Sequence, residues 1–148
     1  DLAEIANRAA AGLAAAFAAA EVSLDVEAGP ALPVRVDPDR MGQVFSNVLR
    51  NALQHTPPGG RVTIHPALLP GTAAVSVADS GEGIAPENLE RVFERFFRVD
   101  GAARASEGAG IGLTIARGIA RGHGGDISAA SAGPGCGAAF TVTVPLAS

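Results

Sequence analysis

Asparagines at positions 47 and 51 stand four residues apart in a segment with helical hydrophobic spacing, so both side-chain amides fall on one stripe beside the apolar face. Asparagine competes with the helical backbone for hydrogen bonds. Two on one stripe, taken alone, read as a pair of solvated polar positions; amides offered to a ligand become the reading only in the company of the rest of the chain. Two glycine clusters follow. Asp79-Ser80-Gly81-Glu82-Gly83-Ile84 comes directly off the run Val75-Ser76-Val77-Ala78. A carboxylate at a strand end, with glycines letting backbone approach a ligand, can accept a hydrogen bond from an exocyclic amine such as that of adenine. An ordinary turn with a capping aspartate has the same composition. Gly108-Ala109-Gly110-Ile111-Gly112-Leu113 opens a helix, and free N–H groups there, unobstructed by side chains, form an anion site for phosphates. A dinucleotide-binding fingerprint does not fit, because the third glycine is at the wrong offset and a polar loop, not a strand, precedes the cluster.

The elements that must position these residues are legible from period and punctuation. Leu2, Ile5, Leu13 and Phe17 recur at helical spacing between Leu2 and Ala20, and Val22 to Val26 alternates as a strand. Pro30 and Pro33 mark a loop before a short strand, Val34-Arg35-Val36. An amphipathic helix is predicted from Pro38 to His55, with Met41, Val44, Phe45, Val48, Leu49, Ala52 and Leu53 as its apolar stripe. Asp37 is its cap, Pro38 its first position, and Thr56-Pro57-Pro58-Gly59-Gly60 its stop. Strands Arg61 to His65 and Ala73 to Ala78 flank Pro70-Gly71. A helix is expected from Pro86, burying Leu89, Val92, Phe93 and Phe96. Val99 to Ala109 reads as a mobile loop, Ile111 to Arg121 as a helix ending at Gly122, and Asp126 to Ser131 and Ala139 to Pro145 as strands. Paired strands with helices between them predict an α/β protein: a mixed sheet with three helices on one face.

Composition narrows the class. The 148 residues, 47% hydrophobic and 18% charged, suit one globular domain over residues 1–148. A net charge of −4 without a basic run argues against a nucleic-acid partner. All eleven basic residues are arginine, so a P-loop, which needs its lysine on the phosphates, is excluded. The single Cys136 permits no internal disulfide or multi-cysteine metal site and reads as small filler between Gly135 and Gly137. The longest apolar run, Ala9 to Ala20, falls short of the roughly 20 residues a membrane helix takes. Asp1 and Glu4 spoil a positive leader, and, starting without methionine, the chain reads as an excised fragment.

The ordered set Asn47-x-x-x-Asn51, Asp79-x-Gly81-x-Gly83, Phe93-Glu94-Arg95-Phe96-Phe97-Arg98 and Gly108-x-Gly110-x-Gly112-Leu113 resembles the N, G1, F and G2 boxes of the ATP-binding domain of sensor histidine kinases. Gly135-Cys136-Gly137 is similar to the closing G3 box, and the resemblance covers essentially the whole chain. It implies a Bergerat-type fold: a two-layer α/β sandwich, the sheet mixed but mostly antiparallel, with three main helices on one face. It also implies that ATP is trapped between a helix and a flexible lid. By the resemblance, Asn51 coordinates Mg2+ with Asn47 beside it, and Asp79 reads the adenine amine with Gly81 and Gly83 allowing close approach, Ile84 belonging to the same nucleotide-binding set. Arg98 meets a phosphate, the backbone at Gly110 and Gly112 cradles the phosphate chain, and Gly108, Ile111 and Leu113 complete the nucleotide-binding set. His55 matches a position near the nucleotide, although an ordinary polar helix end is an equal reading. Gln54 stands where the family often has lysine or arginine, and Ala138 where serine or threonine is common; these departures imply weaker ATP binding, not loss of function.

Related ATPases that hydrolyse ATP carry a glutamate at the position of Asn47, and an amide cannot act as a general base. Phosphoryl transfer needs chiefly positioning and charge neutralisation, so the site is expected to hold ATP for transfer to a histidine nitrogen. Asn47, Asn51 and Arg98 are the expected catalytic set. None of His55, His65 and His123 begins the His-Glu/Asp-x-x-x-Pro pattern of an acceptor helix, so the acceptor is expected on a separate dimerisation domain. His123 reads as a residue at a helix C-terminus that suits the helix dipole. The implied partners are ATP, that dimerisation domain and, through the parent protein, a response regulator. The fragment is expected to be monomeric and cytoplasmic, its parent in the bacterial inner membrane. The alternatives are an anti-sigma-type serine kinase and a non-catalytic nucleotide-binding interaction module.

Overall fold

A computed structural model describes residues 1–94 and 109–147, the side chains of residues 109–111 excepted. Phe96, Phe97, Arg98, Gly108 and the loop expected from Val99 lie outside the described residues.

The first helix, α1 (Leu2–Ala19), is capped by Asp1, whose Oδ1 accepts from the amides of Ala3 and Glu4. Its fully buried stripe is Leu2, Ala6, Ala10 and Phe17, with Ile5 and Leu13 only half-buried. Small alanines at the contact let α1 approach its neighbour closely. That neighbour, α2 (Pro38–Gln54), starts as its residues require. Asp37 Oδ1 accepts from the amides of Asp39 and Arg40, and Pro38 occupies the first turn, where its missing N–H costs nothing. The helix buries Met41, Val44, Phe45, Val48, Leu49 and Ala52 and ends at the His55 cap; buried Thr56 turns its hydroxyl back to the Ala52 carbonyl.

The sheet consists of β1 (Ser23–Val26), β2 (Arg61–Leu69), β3 (Thr72–Asp79), β4 (Asp126–Ala130) and β5 (Ala138–Pro145), in the order β1-β2-β3-β5-β4. Only β1 and β2 pair in parallel. Successive side chains alternate between faces. Val62, Ile64, Val75, Val77, Ile127, Phe140 and Val142 are buried with the helices, whereas His65, Ser76, Thr141 and Ser128 align in register on the other face. There Ser76 Oγ and Thr141 Oγ1 hydrogen bond at 2.8 Å. Helix α3 (Ala109–Gly122) completes the helical layer, packing on α2 and β4. The two-layer, mostly antiparallel α/β sandwich agrees with the architecture expected from the sequence.

Two local expectations are corrected. Val34-Arg35-Val36 is not a strand; Val34 makes an isolated bridge to Leu146. The helix expected from Pro86 is instead two short 3-10 turns, Pro86–Asn88 and Arg91–Phe93. Tertiary contacts fix Phe93: its carbonyl accepts from Thr114 Oγ1 at 2.7 Å, and its ring meets Phe140 edge-on at 6.0 Å. A segment this short gains little from helical propagation, so those contacts prevail.

Candidate functional site

Helix α2 and β3 aim their chemical residues at one region. Asp79 is the last residue of the middle strand, paired with Val62 on one side and Ala138 on the other. Its half-buried carboxylate accepts from the Gly81 amide at 2.9 Å and the Ala138 amide at 3.3 Å, both on Oδ1. Among the described residues no donor bonds Oδ2, which leaves that oxygen as an acceptor for a ligand. Burial raises the carboxyl pKa above its ordinary value, against the lowering effect of the two amides and of nearby His55.

The glycines after Asp79 serve packing first. A Cβ on Gly81 would lie 2.1 Å from the His55 carbonyl oxygen, and one on Gly83, whose φ is +74°, would lie 2.2 Å from the Gly133 carbonyl oxygen. Their bareness lets the turn close onto the end of α2 and onto the turn at 133–137. The Glu82 amide donates to the His55 carbonyl, and the His55 ring Nδ1 lies 3.1 Å from Glu82 Oε1. His55 is thereby placed near Asp79, close enough to act on its carboxyl. Ile84 is buried beneath the turn.

Helix α3 meets the site from the other side. Asn47 Nδ2 donates to the Gly112 carbonyl at 3.1 Å, joining the middle of α2 to the first turn of α3. Gly110, Ile111 and Gly112 are within that turn, and the amides of a helix's first three residues, here Ala109 to Ile111, have no acceptor inside the helix. Leu113 is buried and anchors the turn to the core. Asn51 is half-buried one turn beyond Asn47 on the same stripe. Asn47, Asn51, His55, Asp79, Gly81, Gly83, Ile84 and the start of α3 are thus brought together. Arg98 and Gly108 lie outside the described residues.

Arg117 and Ser131 carry no signal in the sequence, and His123 makes one tie that its sequence position did not announce. Arg117 stacks 4.2 Å over the Phe93 ring and pairs with Glu90 and Asp126, each at 2.9 Å. Burial works to raise the Asp126 pKa, but the Arg117 and Arg121 guanidiniums and the Ile127 amide hold it down at about 2. His123 accepts from the Asp37 amide through Nε2 at 3.2 Å. Since that amide can only donate, Nδ1 carries the proton toward the Ile119 carbonyl at 2.9 Å. This matches the expected place at a helix end and adds a tie to the cap of α2. Ser131 Oγ bridges the turns at 81–84 and 133–137. A lone Ser or Arg gives no spacing signal, so only contacts between distant segments reveal these residues.

Comparison with known proteins supports one lineage. Residues 36–148 match the family described as histidine kinase-, DNA gyrase B-, and HSP90-like ATPase. The chain is 37% identical over 131 residues to the signal transduction histidine-protein kinase BaeS of Escherichia coli, covering 88% of this chain and 28% of that protein. The mycobacterial sensor histidine kinase MprB has a similar structure, with a TM-score of 0.86 and 33% identity over 99% of this chain and 96% of that one. ShkA, solved full-length in complex with AMPPNP, has a TM-score of 0.85 and 27% identity, covering 100% of this chain and 30% of that one. The chain spans a third or less of the length of curated relatives such as SenX3 (33%) and TmoS (13%). By sequence, fold and the arrangement of its boxes, the chain belongs to the histidine kinase-, DNA gyrase B- and HSP90-like ATPase family.

Proposed function

We propose that this chain is the catalytic domain of a sensor histidine kinase: it binds ATP with Mg2+ and presents the γ-phosphoryl group to a histidine on a dimerisation domain. The observation that carries this reading is the convergence of an Asp79 carboxylate oxygen with no donor among the described residues, the asparagine pair on α2 and the glycine-rich first turn of α3. Asp79 Oδ2 accepts from an adenine amine, and the unpaired amides of α3 face phosphate oxygens. ShkA, so similar in fold, holds AMPPNP, which supports a nucleotide as the ligand.

The donor set fits Mg2+. An amide oxygen from Asn51 is a hard ligand, and magnesium in nucleotide sites takes one or two protein ligands beside phosphates and water. Among the described residues there is no cluster of three His, Cys, Asp or Glu that would hold a cation unaided. The metal supplies neutralisation of phosphate charge when bound. The chain's own part is to orient: Asn47, held by Gly112, offers no general base for water, which favours transfer over hydrolysis.

Incubating the chain with radiolabelled ATP, Mg2+ and a separately produced acceptor hairpin tests the reading. The expected product is acid-labile, base-stable phosphate on the hairpin. Acid-stable phosphate would instead indicate serine transfer, and no transfer despite nucleotide binding would indicate a binding module. We assign the downstream receiver to a response regulator and the parent protein to the bacterial inner membrane. Among the described residues no helix is long and apolar enough to cross a membrane, so an anchor would belong to another part of the parent.

A further inference from the structure

We propose that Ser131 is a positioning residue for nucleobase recognition, orienting the Gly137–Ala138 peptide that fixes the Asp79 carboxylate. The inference rests on the reading of Asp79 as the nucleobase acceptor. Ser131 Oγ donates to the Gly137 carbonyl at 2.6 Å. The other end of that same peptide unit, the Ala138 N–H, donates to Asp79 Oδ1 at 3.3 Å. A peptide is planar, so holding its carbonyl sets the direction of its N–H. The serine thereby acts on the carboxylate through one rigid plate, without touching it.

The same oxygen also accepts from the Ile84 amide at 3.0 Å and the Gly133 amide at 3.1 Å. It therefore ties the turn after Asp79 to the turn before β5. Two backbone bonds accompany it, from Gly137 to the Gly81 carbonyl and from Gly135 to the Glu82 carbonyl. The Ser131 side chain thereby joins these turns to each other. At position 138 itself stands alanine, which brings no hydroxyl to the pocket. Aim at the carboxylate thus comes through the backbone amide of that residue, and Ser131 sets it. Loss of the Ala138 bond also removes one of the groups that lower the Asp79 pKa.

The test compares wild type, Ser131→Ala, Ser131→Thr and Asp79→Asn by calorimetric titration with Mg-ATP and with Mg-inosine triphosphate, which lacks the exocyclic amine. Wild type should prefer ATP. Ser131→Ala should narrow the ATP-to-inosine preference by about tenfold, the equivalent of about 1.4 kcal/mol. Ser131→Thr, which keeps the hydroxyl, should restore most of it. Equal weakening toward both nucleotides, or an unchanged ratio in Ser131→Ala where Asp79→Asn erases it, would overturn the role of Ser131 while leaving the pocket intact. An unchanged ratio in Asp79→Asn would instead remove the nucleobase reading. A carboxyl-carbon NMR titration of Asp79 without nucleotide judges the peptide link separately: its midpoint should rise in Ser131→Ala, and an unmoved midpoint refutes the link. Should Ser131→Ala fail to fold, Ser131→Cys, a weaker donor of similar size, carries both measurements with the same signs.

Discussion

Asn47 Nδ2 donates to the Gly112 carbonyl across 3.1 Å, so a side chain of α2 bonds the backbone of the first turn of α3. The bond fixes the spacing between the two helices at the point where the site is built. Asn47→Asp keeps the shape but sets an anionic acceptor against a carbonyl. Stability at pH 8 should fall by about 1–3 kcal/mol, read from the urea midpoint. Asn47→Ala, which leaves no opposed charge, should cost less. An aspartate variant as stable as wild type would show that the contact is not maintained in solution.

Asp79→Asn separates recognition from folding. The amide oxygen can still accept from Gly81 and Ala138 while its NH2 points outward, so a donor faces the adenine amine. ATP affinity should drop by roughly a hundredfold, since a buried donor is left facing a donor. The effect on stability has the opposite sign. Because the folded pKa is raised, this group favours folding below its ordinary pKa of 3.8, and that contribution is lost as pH rises through the folded value. The neutral amide escapes this loss, so the variant's nucleotide-free melting temperature at pH 7 should equal or exceed that of wild type.

Acid sensitivity should arise partly at the junction of α3 and β4. Asp126, held down at about 2 by Arg117 and Arg121 against the effect of burial, stabilises the fold above its ordinary pKa of 3.8. That contribution disappears as pH falls toward about 2. With the carboxylate nearly half exposed, it amounts to roughly 1 kcal/mol after screening. Asp126→Asn should lower stability by that amount at pH 7 and converge with wild type near pH 2 in a series of thermal melts. Parallel curves throughout would contradict the assignment.

The turn glycines should resist any side chain. Gly81→Ala places a methyl against the His55 carbonyl, and Gly83→Ala adds one against the Gly133 carbonyl at a positive φ. Each should destabilise by about 1–3 kcal/mol, measured by chemical unfolding. Gly12→Ala, with open space around it on α1, should instead be neutral or stabilising.

Much of the fold was legible because it is written in local period. The stripe from Met41 to Ala52, the cap at Asp37 and the alternation through Val75 and Val77 each specify an element without reference to distant residues. The segment after Pro86 was misread for the converse reason. Its apolar spacing suits a helix, but Phe93 is held by Thr114, Arg117 and Phe140, none of them near it in the chain.

The sequence by itself marked the candidate residues: an asparagine pair at helical spacing, an aspartate closing a strand and glycines opening a helix. Such signals survive in one dimension because they depend on neighbours within a turn or two. Only the tertiary structure decided how those groups are aimed. The Asn47 bond to Gly112, the use of Gly81 and Gly83 for closure, and the Ser131 relay through the Gly137–Ala138 peptide all join segments dozens of residues apart. Hydrogen-bond direction across such gaps is set by packing, and packing has no period to read.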